Sequence, residues 1–139
     1  MNGTQNIVID TNVLLAALKS SKGSSFRLLR LIGSNLFTPH VSVPLVAEYE
    51  SVLKRENLSL SDTQIDDIID FICASSHYHK IFYLWRPTLR DANDDFVLEL
   101  AVSSQSQIIT WNERDFKKAE SFGIQVMNPR TFLVRLGIL

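Results

Sequence analysis

The sequence predicts an α/β fold, with a parallel sheet covered by helices on both faces. Two patterns carry that expectation. Short runs rich in Val, Ile, Phe and Tyr alternate along the chain with stretches of helical apolar periodicity. Alternating strands and helices pack most simply as parallel strands joined by crossover helices. Carboxylates also recur where apolar residues would be usual: after the strand-like Ile7-Val8-Ile9, inside an apolar helical stripe at Glu48, and at the head of another at Asp94. Parallel sheets of this kind place their sites outside the carboxyl ends of the strands, so acids there bear on function.

Taken in order, the first strand is expected over Asn6–Asp10, an apolar run that ends on an acid. Helices follow over Val13–Lys19 and Ser25–Leu31, split by the turn-forming Ser20-Ser21-Lys22-Gly23-Ser24. Leu36–Thr38 reads as a second strand, then Val43–Arg55 and Asp62–Ser75 as a second helix pair. Ser61 can cap the latter, because its hydroxyl can accept from a free amide of the first turn. The third strand is expected over Lys80–Leu84, where Ile, Phe, Tyr and Leu follow one another. A helix over Asn93–Ser104, a strand over Gln107–Thr110, a helix over Glu113–Ser121 and a strand over Gly123–Met127 come next. The chain closes with a helix over Pro129–Leu136, opened by Asn128-Pro129, a capping residue followed by proline at the first helical position.

At 139 residues one domain spanning 1–139 is expected, and 45% hydrophobic content is enough for a sizeable core. A net charge of -1 excludes a basic protein that coats nucleic acid non-specifically, so any such contact must be local or bridged by metal. Cys73 is the only cysteine, which leaves neither a disulfide framework nor a zinc cluster of thiolates. No apolar run is long enough to span a membrane and no secretory signal opens the chain, so a cytoplasmic location is expected.

The acids define the candidate site. Asp10 closes the first strand, where it can act as a helix N-cap or as part of a metal site. Asn12 can be a second cap or can orient Asp10. At ~100° per residue, Val41, Leu45, Glu48 and Val52 share one stripe and Glu50 lies opposite, so Glu48 takes a core position. Asp94 heads the inward stripe of Leu98 and Ala101, while Asp95 and Glu99 turn away. Acids in a first helical turn also stabilise the positive helix end, which accounts for some of Asp91, Asp94 and Asp95 without any ligand. In Ile108-Ile109-Thr110-Trp111-Asn112-Glu113-Arg114-Asp115, Thr110 offers a hydroxyl beside the acids, and Asn112 and Asp115 fit a capping box as well as a metal site. Inward acids repel one another unless a cation holds them, and hard carboxylate oxygens suit Mg2+ or Mn2+. His40, His77 and His79 are scattered in sequence and read as surface or core residues, and Trp85 and Trp111 as packing residues.

The runs IVIDTNVLLAAL, VPLVAEYESVLKR, RDANDDFVLELA and IITWNERDF, in that order and spacing, resemble the PIN domain. The resemblance covers nearly the whole chain and is strongest to the VapC-like branch of toxin components from toxin–antitoxin pairs. It implies a three-layer α/β/α sandwich with a five-stranded parallel sheet of order 3-2-1-4-5. It also implies a Mg2+- or Mn2+-dependent ribonuclease, with RNA as substrate and with an antitoxin and a second copy of the chain as candidate partners. Carried over by position, the catalytic and metal-site acids are Asp10, Glu48 and Asp94, with Asp115 a fourth, supported by Asn12, Thr110 and Asn112. Two positions depart from the pattern: Ala92 stands where proline is frequent, and Asn112 where many relatives carry Asp. The second departure keeps open an alternative, a catalytically degenerate PIN-like module that binds RNA or a partner without cleaving. A phosphoacceptor receiver domain would need an acceptor Asp near Leu84-Trp85-Arg86 and a Lys near Met127-Asn128-Pro129, and neither is present. Among the basic residues, Arg90 and Arg114 lie within a few residues of a proposed metal acid and are the candidate contacts to the RNA backbone.

Overall fold

The computed structural model describes residues 4–80 and 92–139. Its centre is strand β1 (Gln5–Ile9), whose Ile7, Val8 and Ile9 are all buried. A strand covered on both faces has no polar side to present, which is why this stretch is uniformly apolar rather than alternating. β1 pairs with β2 (Phe37–Val41) on one side and with β4 (Gln107–Ile109) on the other, and both pairings are parallel. The short outer strands β3 (His77–Tyr78) and β5 (Val126–Met127) complete a five-stranded parallel sheet of order β3-β2-β1-β4-β5. Helices lie on both sides of it. This is the expected class and strand order.

Helices α1 (Thr11–Lys19) and α2 (Ser24–Arg30) follow β1, and α3 (Val43–Arg55) and α4 (Asp62–Ala74) follow β2. Ser61 caps α4 by accepting from the Gln64 amide, and the Gln64 side chain accepts from the Ser61 amide, a full capping box. Helix α5 (Ala92–Ser104) packs on β1, β2 and β4 and against α3. Helix α6 (Pro129–Arg135) begins as expected, with Asn128 Oδ1 accepting from the Thr131 amide at 2.8 Å.

Several expectations are corrected. Among the described residues the third strand is His77–Tyr78, whereas the strand was expected at Lys80–Leu84. It is set by pairing with β2, His40 opposite His77 and Val41 opposite Tyr78, and by the His79 amide donating to the Val41 carbonyl. Of the expected run, residues 81–84 lie outside the described residues. Residues Glu113–Phe122 form a 3-10 helix with a break at Phe116 rather than an α-helix. Buried Phe116 and Ala119 hold it to the core, so the tertiary anchors override a weak helical pattern. Along α3 the buried positions are Leu45, Tyr49 and Leu53, whereas Glu48 is only partly buried at the flank of that stripe. Glu99 is buried instead of turning outward, because α5 is enclosed over most of its circumference: Val97, Leu98, Leu100 and Ala101 are all inaccessible as well.

Candidate active site at the carboxyl edge of the sheet

The strand order reverses between β1 and β4, since the chain moves outward to β2 and β3 before crossing back. A crevice therefore opens beyond the carboxyl ends of these two strands. Asp10 and Thr110 are the first residues past those ends. The Asp10 amide donates to the Ile109 carbonyl and the Thr110 amide to the Met127 carbonyl, both at 2.9 Å, so the ladder fixes each backbone directly behind its side chain.

Asp10 is 6% exposed and Thr110 fully buried. One carboxylate oxygen of Asp10 accepts from the Thr11 amide at 2.9 Å, which makes it the N-cap of α1. The other accepts from the Thr110 hydroxyl at 2.8 Å. The capping role and the site role thus coexist, one oxygen each. Thr110 Oγ1 is a hub: it also accepts from the Asn112 amide at 3.0 Å and from Asn12 Nδ2 at 3.3 Å. Asn12 Oδ1 in turn accepts from the Trp111 amide at 3.2 Å. Asn12 therefore braces Thr110, which in turn orients Asp10. Asn112 makes no side-chain cap; its contribution is the backbone donor to Thr110. The expected capping box with Asp115 is absent because the Asn112 backbone is not in cap geometry, φ -107° and ψ 56°.

Glu48 reaches this edge from α3, where its carboxylate accepts from the Thr11 hydroxyl at 2.5 Å. Thr11 thus links the two acids, its amide held by Asp10 and its hydroxyl holding Glu48. The next residue, buried Tyr49, donates its hydroxyl to the Ile9 carbonyl at 2.5 Å and pins α3 to the end of β1. Thr11 and Tyr49 were not singled out from sequence. Thr11 sits between Asp10 and Asn12 in the same run, and Tyr49 lies midway between Leu45 and Leu53 at helical spacing, which was the available signal.

The Asp10 carboxyl titrates at about 6 rather than 3.8. Burial is the main cause, and the negative charges of Glu48 and Asp115 add to it, against the hydrogen bonds from Thr110 and the Thr11 amide, which favour the ionised form. The ion pairs Lys19–Glu56, Lys54–Glu50 and Lys54–Asp66 do not involve Asp10, Glu48 or Asp115.

Asp94 occupies the first turn of α5 and is partly buried. Because α5 carries the chain from β3 back to the start of β4, its N-terminus faces the carboxyl edge, the same edge as Asp10. Arg90 and Asp91 lie outside the described residues. Asp115 and Arg114 are exposed in the segment after β4. Beside them a cleft of about 1020 Å³ runs from Trp111 and Asn112 past Arg114, Asp115 and Lys117 to Gln125 and Arg135. Asp10 and Glu48 are not part of its lining; the cleft adjoins the acids rather than containing them. Trp111 is half exposed at its mouth, with its indole N–H donating to Ser25 at 2.8 Å. Among the described residues no three His, Cys, Asp or Glu side chains are set as a finished ion cage.

These residues suit a hard divalent cation. Two carboxylates share a threonine bridge, a third raises the proton affinity of the first, and oxygen is the only donor type present. The profile of the PIN domain family matches residues 6–114, and the chain belongs to that family. Solved structures with the same fold include VapBC2 from Rickettsia felis bound to a DNA fragment from its promoter, with 15% identity, 89% of this chain and 98% of that one covered, and a TM-score of 0.64. VapBC-1 from nontypeable Haemophilus influenzae is similar at 16% identity, 91% and 99% coverage and a TM-score of 0.62. FitAcB from Neisseria gonorrhoeae follows at 17% identity, 89% and 98% coverage and a TM-score of 0.56. No curated protein matches the chain by sequence.

Proposed function

We propose that the chain is a Mg2+- or Mn2+-dependent endoribonuclease and the toxin component of a toxin–antitoxin pair. The observation that carries this reading is Asp10: a carboxylate at the sheet's switch point, held by Thr110 and Thr11 and pushed towards neutrality by its burial and, to a smaller extent, by the charges of Glu48 and Asp115. A cation relieves that repulsion, and PIN domains are nucleases that generally depend on divalent metal. Asp10, Glu48 and Asp94 would hold the ion, with Asp115 as a fourth ligand. When bound, it supplies Lewis-acid stabilisation of the phosphate charge and a water of lowered pKa.

The protein's own part is positioning. Thr110, braced by Asn12 and by the Asn112 amide, fixes one Asp10 oxygen, and the Thr11 amide fixes the other. Thr11 sets Glu48, and Tyr49 holds the strand end on which Asp10 stands. A carboxylate of this group takes the proton of the attacking water as it adds to phosphorus, and the bridging P–O bond of the RNA breaks. Arg114 and Arg90, each within a few residues of a site acid in sequence, would neutralise backbone phosphates. The similarity to the VapBC2, VapBC-1 and FitAcB structures supports a small protein antitoxin as partner; a second copy of the chain is a further candidate.

The alternative is a degenerate module that binds RNA or a partner without cutting it. Asn112 and the absence of a finished three-acid cage among the described residues favour it. One experiment separates the two: incubation of the purified chain with single-stranded RNA in EDTA, then with Mg2+ or Mn2+ restored. The nuclease reading expects internal cleavage only with metal and none by Asp10→Asn. Intact RNA in every condition, with binding retained, supports the degenerate module.

A further inference from the structure

Trp111 stands outside the hydrophobic core, contrary to the expectation that it packs. It is 43% exposed, although it directly follows the fully buried Thr110. A tryptophan at a surface ordinarily buries its carbon body and turns its polar N–H to water. Here the order is inverted. The indole N–H donates inward at 2.8 Å to the hydroxyl of Ser25, a residue only 3% exposed. What meets solvent is therefore mainly ring carbon. The backbone is held as well, because the Trp111 amide donates to Asn12 Oδ1 at 3.2 Å. One tether runs to α2 and the other to α1, so the ring is fixed in its exposed position before anything binds. A ring held this way has little freedom left to lose when a ligand lies on it.

The position adds what the ring alone does not. The preceding residue, Thr110, donates its hydroxyl to Asp10 at 2.8 Å. Trp111 itself heads the cleft of about 1020 Å³ that continues past Arg114 and Lys117 to Arg135. We propose that Trp111 is a stacking platform for an unpaired RNA base, which seats one nucleotide beside the acids and makes single-stranded segments the preferred substrate. The choice of RNA as ligand rests on the ribonuclease reading above.

A base inside a duplex has both faces covered by its neighbours, so only an unstacked base can lie on the indole. The charges along the cleft agree with this. Arg114, Lys117 and Arg135 are offset there by Glu113, Asp115 and Glu120, and Arg135 is engaged with Gln125 at 2.7 Å. Balanced charge gives little attraction for phosphate, so stacking supplies most of the hold. One stacked base is worth a roughly 5- to 100-fold change in affinity. Every base has a π face, so the contact selects strand state rather than sequence.

The test measures binding rather than cleavage, in Asp10→Asn protein with Mg2+, so a chain that binds RNA without cutting it is read equally well. The probes are a short dye-labelled single-stranded RNA, the same strand with an abasic nucleotide at each position in turn, and a duplex of the same sequence. Adding Trp111→Ala should weaken binding of the intact strand roughly 5- to 100-fold. One abasic position should weaken binding to the unaltered indole by a similar factor, and the two losses should not multiply when combined, because they remove the same contact. Trp111→Leu, apolar but without a π face, should behave like the alanine variant and stands in for it if alanine does not fold. Trp111→Phe should recover most of the affinity, which loss of the bond to Ser25 alone would not allow. The duplex should bind no better than the single strand binds to the alanine variant. Circular dichroism confirms that each variant is folded. Losses that multiply, no sensitive abasic position, or a leucine variant that binds like its background overturns the proposal and leaves the ribonuclease reading standing. Absence of RNA binding by parent and Asp10→Asn alike overturns both. Uncut RNA that is bound with the stacking signature supports the platform and overturns the ribonuclease reading alone.

Discussion

Asp10→Asn should make the metal-free protein more stable at neutral pH and less stable in acid. In the folded chain Asp10 titrates at about 6, against 3.8 when exposed. Between those values the unfolded chain releases a proton that the folded chain retains. The unfolded state then binds fewer protons, so stability falls as pH rises through this window and stays low above it. Two units of raised proton affinity correspond to about 3 kcal/mol, of which about 2.5 develops between pH 4 and 7.5. Asparagine removes that term. It also loses the acceptor of the Thr110 hydroxyl, because an amide nitrogen would face Oγ1, already an acceptor for Asn12 and the Asn112 amide. That lost bond costs about 1 kcal/mol at any pH. The expected balance is a variant about 2 kcal/mol more stable than the parent at pH 7.5 and slightly less stable at pH 4. Urea unfolding of both proteins in EDTA at the two pH values measures it. A stability difference that does not change with pH would refute the claim that Asp10 is buried under electrostatic strain, and a large loss at pH 7.5 would make its role structural.

Tyr49→Phe should cost about 1–2 kcal/mol in thermal or urea unfolding, because the buried Ile9 carbonyl loses its donor, and should slow cleavage without changing the fold. Thr110→Val keeps the shape but strips the hub, leaving the Asn112 amide and Asn12 without their acceptor; a loss of about 1–3 kcal/mol is expected, read by the same unfolding curves. Arg114→Ala should weaken RNA binding and lower the salt slope of log K by about one while leaving Mn2+ binding intact. Fluorescence anisotropy across a salt series checks this, and the same result is expected for Arg90→Ala.

The sheet was legible because the carboxyl ends of β1 and β4, Ile7–Ile9 and Ile108-Ile109, are buried and therefore written in Val and Ile alone. Asp10 and Thr110 were legible for the same reason, as the polar residues where those runs stop. Side chains brought in by packing were harder. Glu48 was found, but its depth was overstated, since a stripe drawn at fixed helical pitch cannot tell the centre of a buried face from its flank, where Tyr49 proved to be the core residue. The burial of Glu99 depends on how many elements surround α5, which periodicity does not contain. The edge strand escaped because His-Tyr-His carries little strand propensity and is defined by its partner.

Asp10 at the end of β1, Glu48 on α3 and Asp94 on α5 are proposed to form one binding site for a hard divalent ion. Calorimetric titration of Mn2+ into the EDTA-stripped parent, Asp10→Asn, Glu48→Gln and Asp94→Asn at pH 7 tests it without reference to any substrate. Saturable binding to the parent and at least tenfold weaker binding in each variant are expected, with all four proteins folded. Equal Mn2+ binding by the parent and the three variants would contradict it.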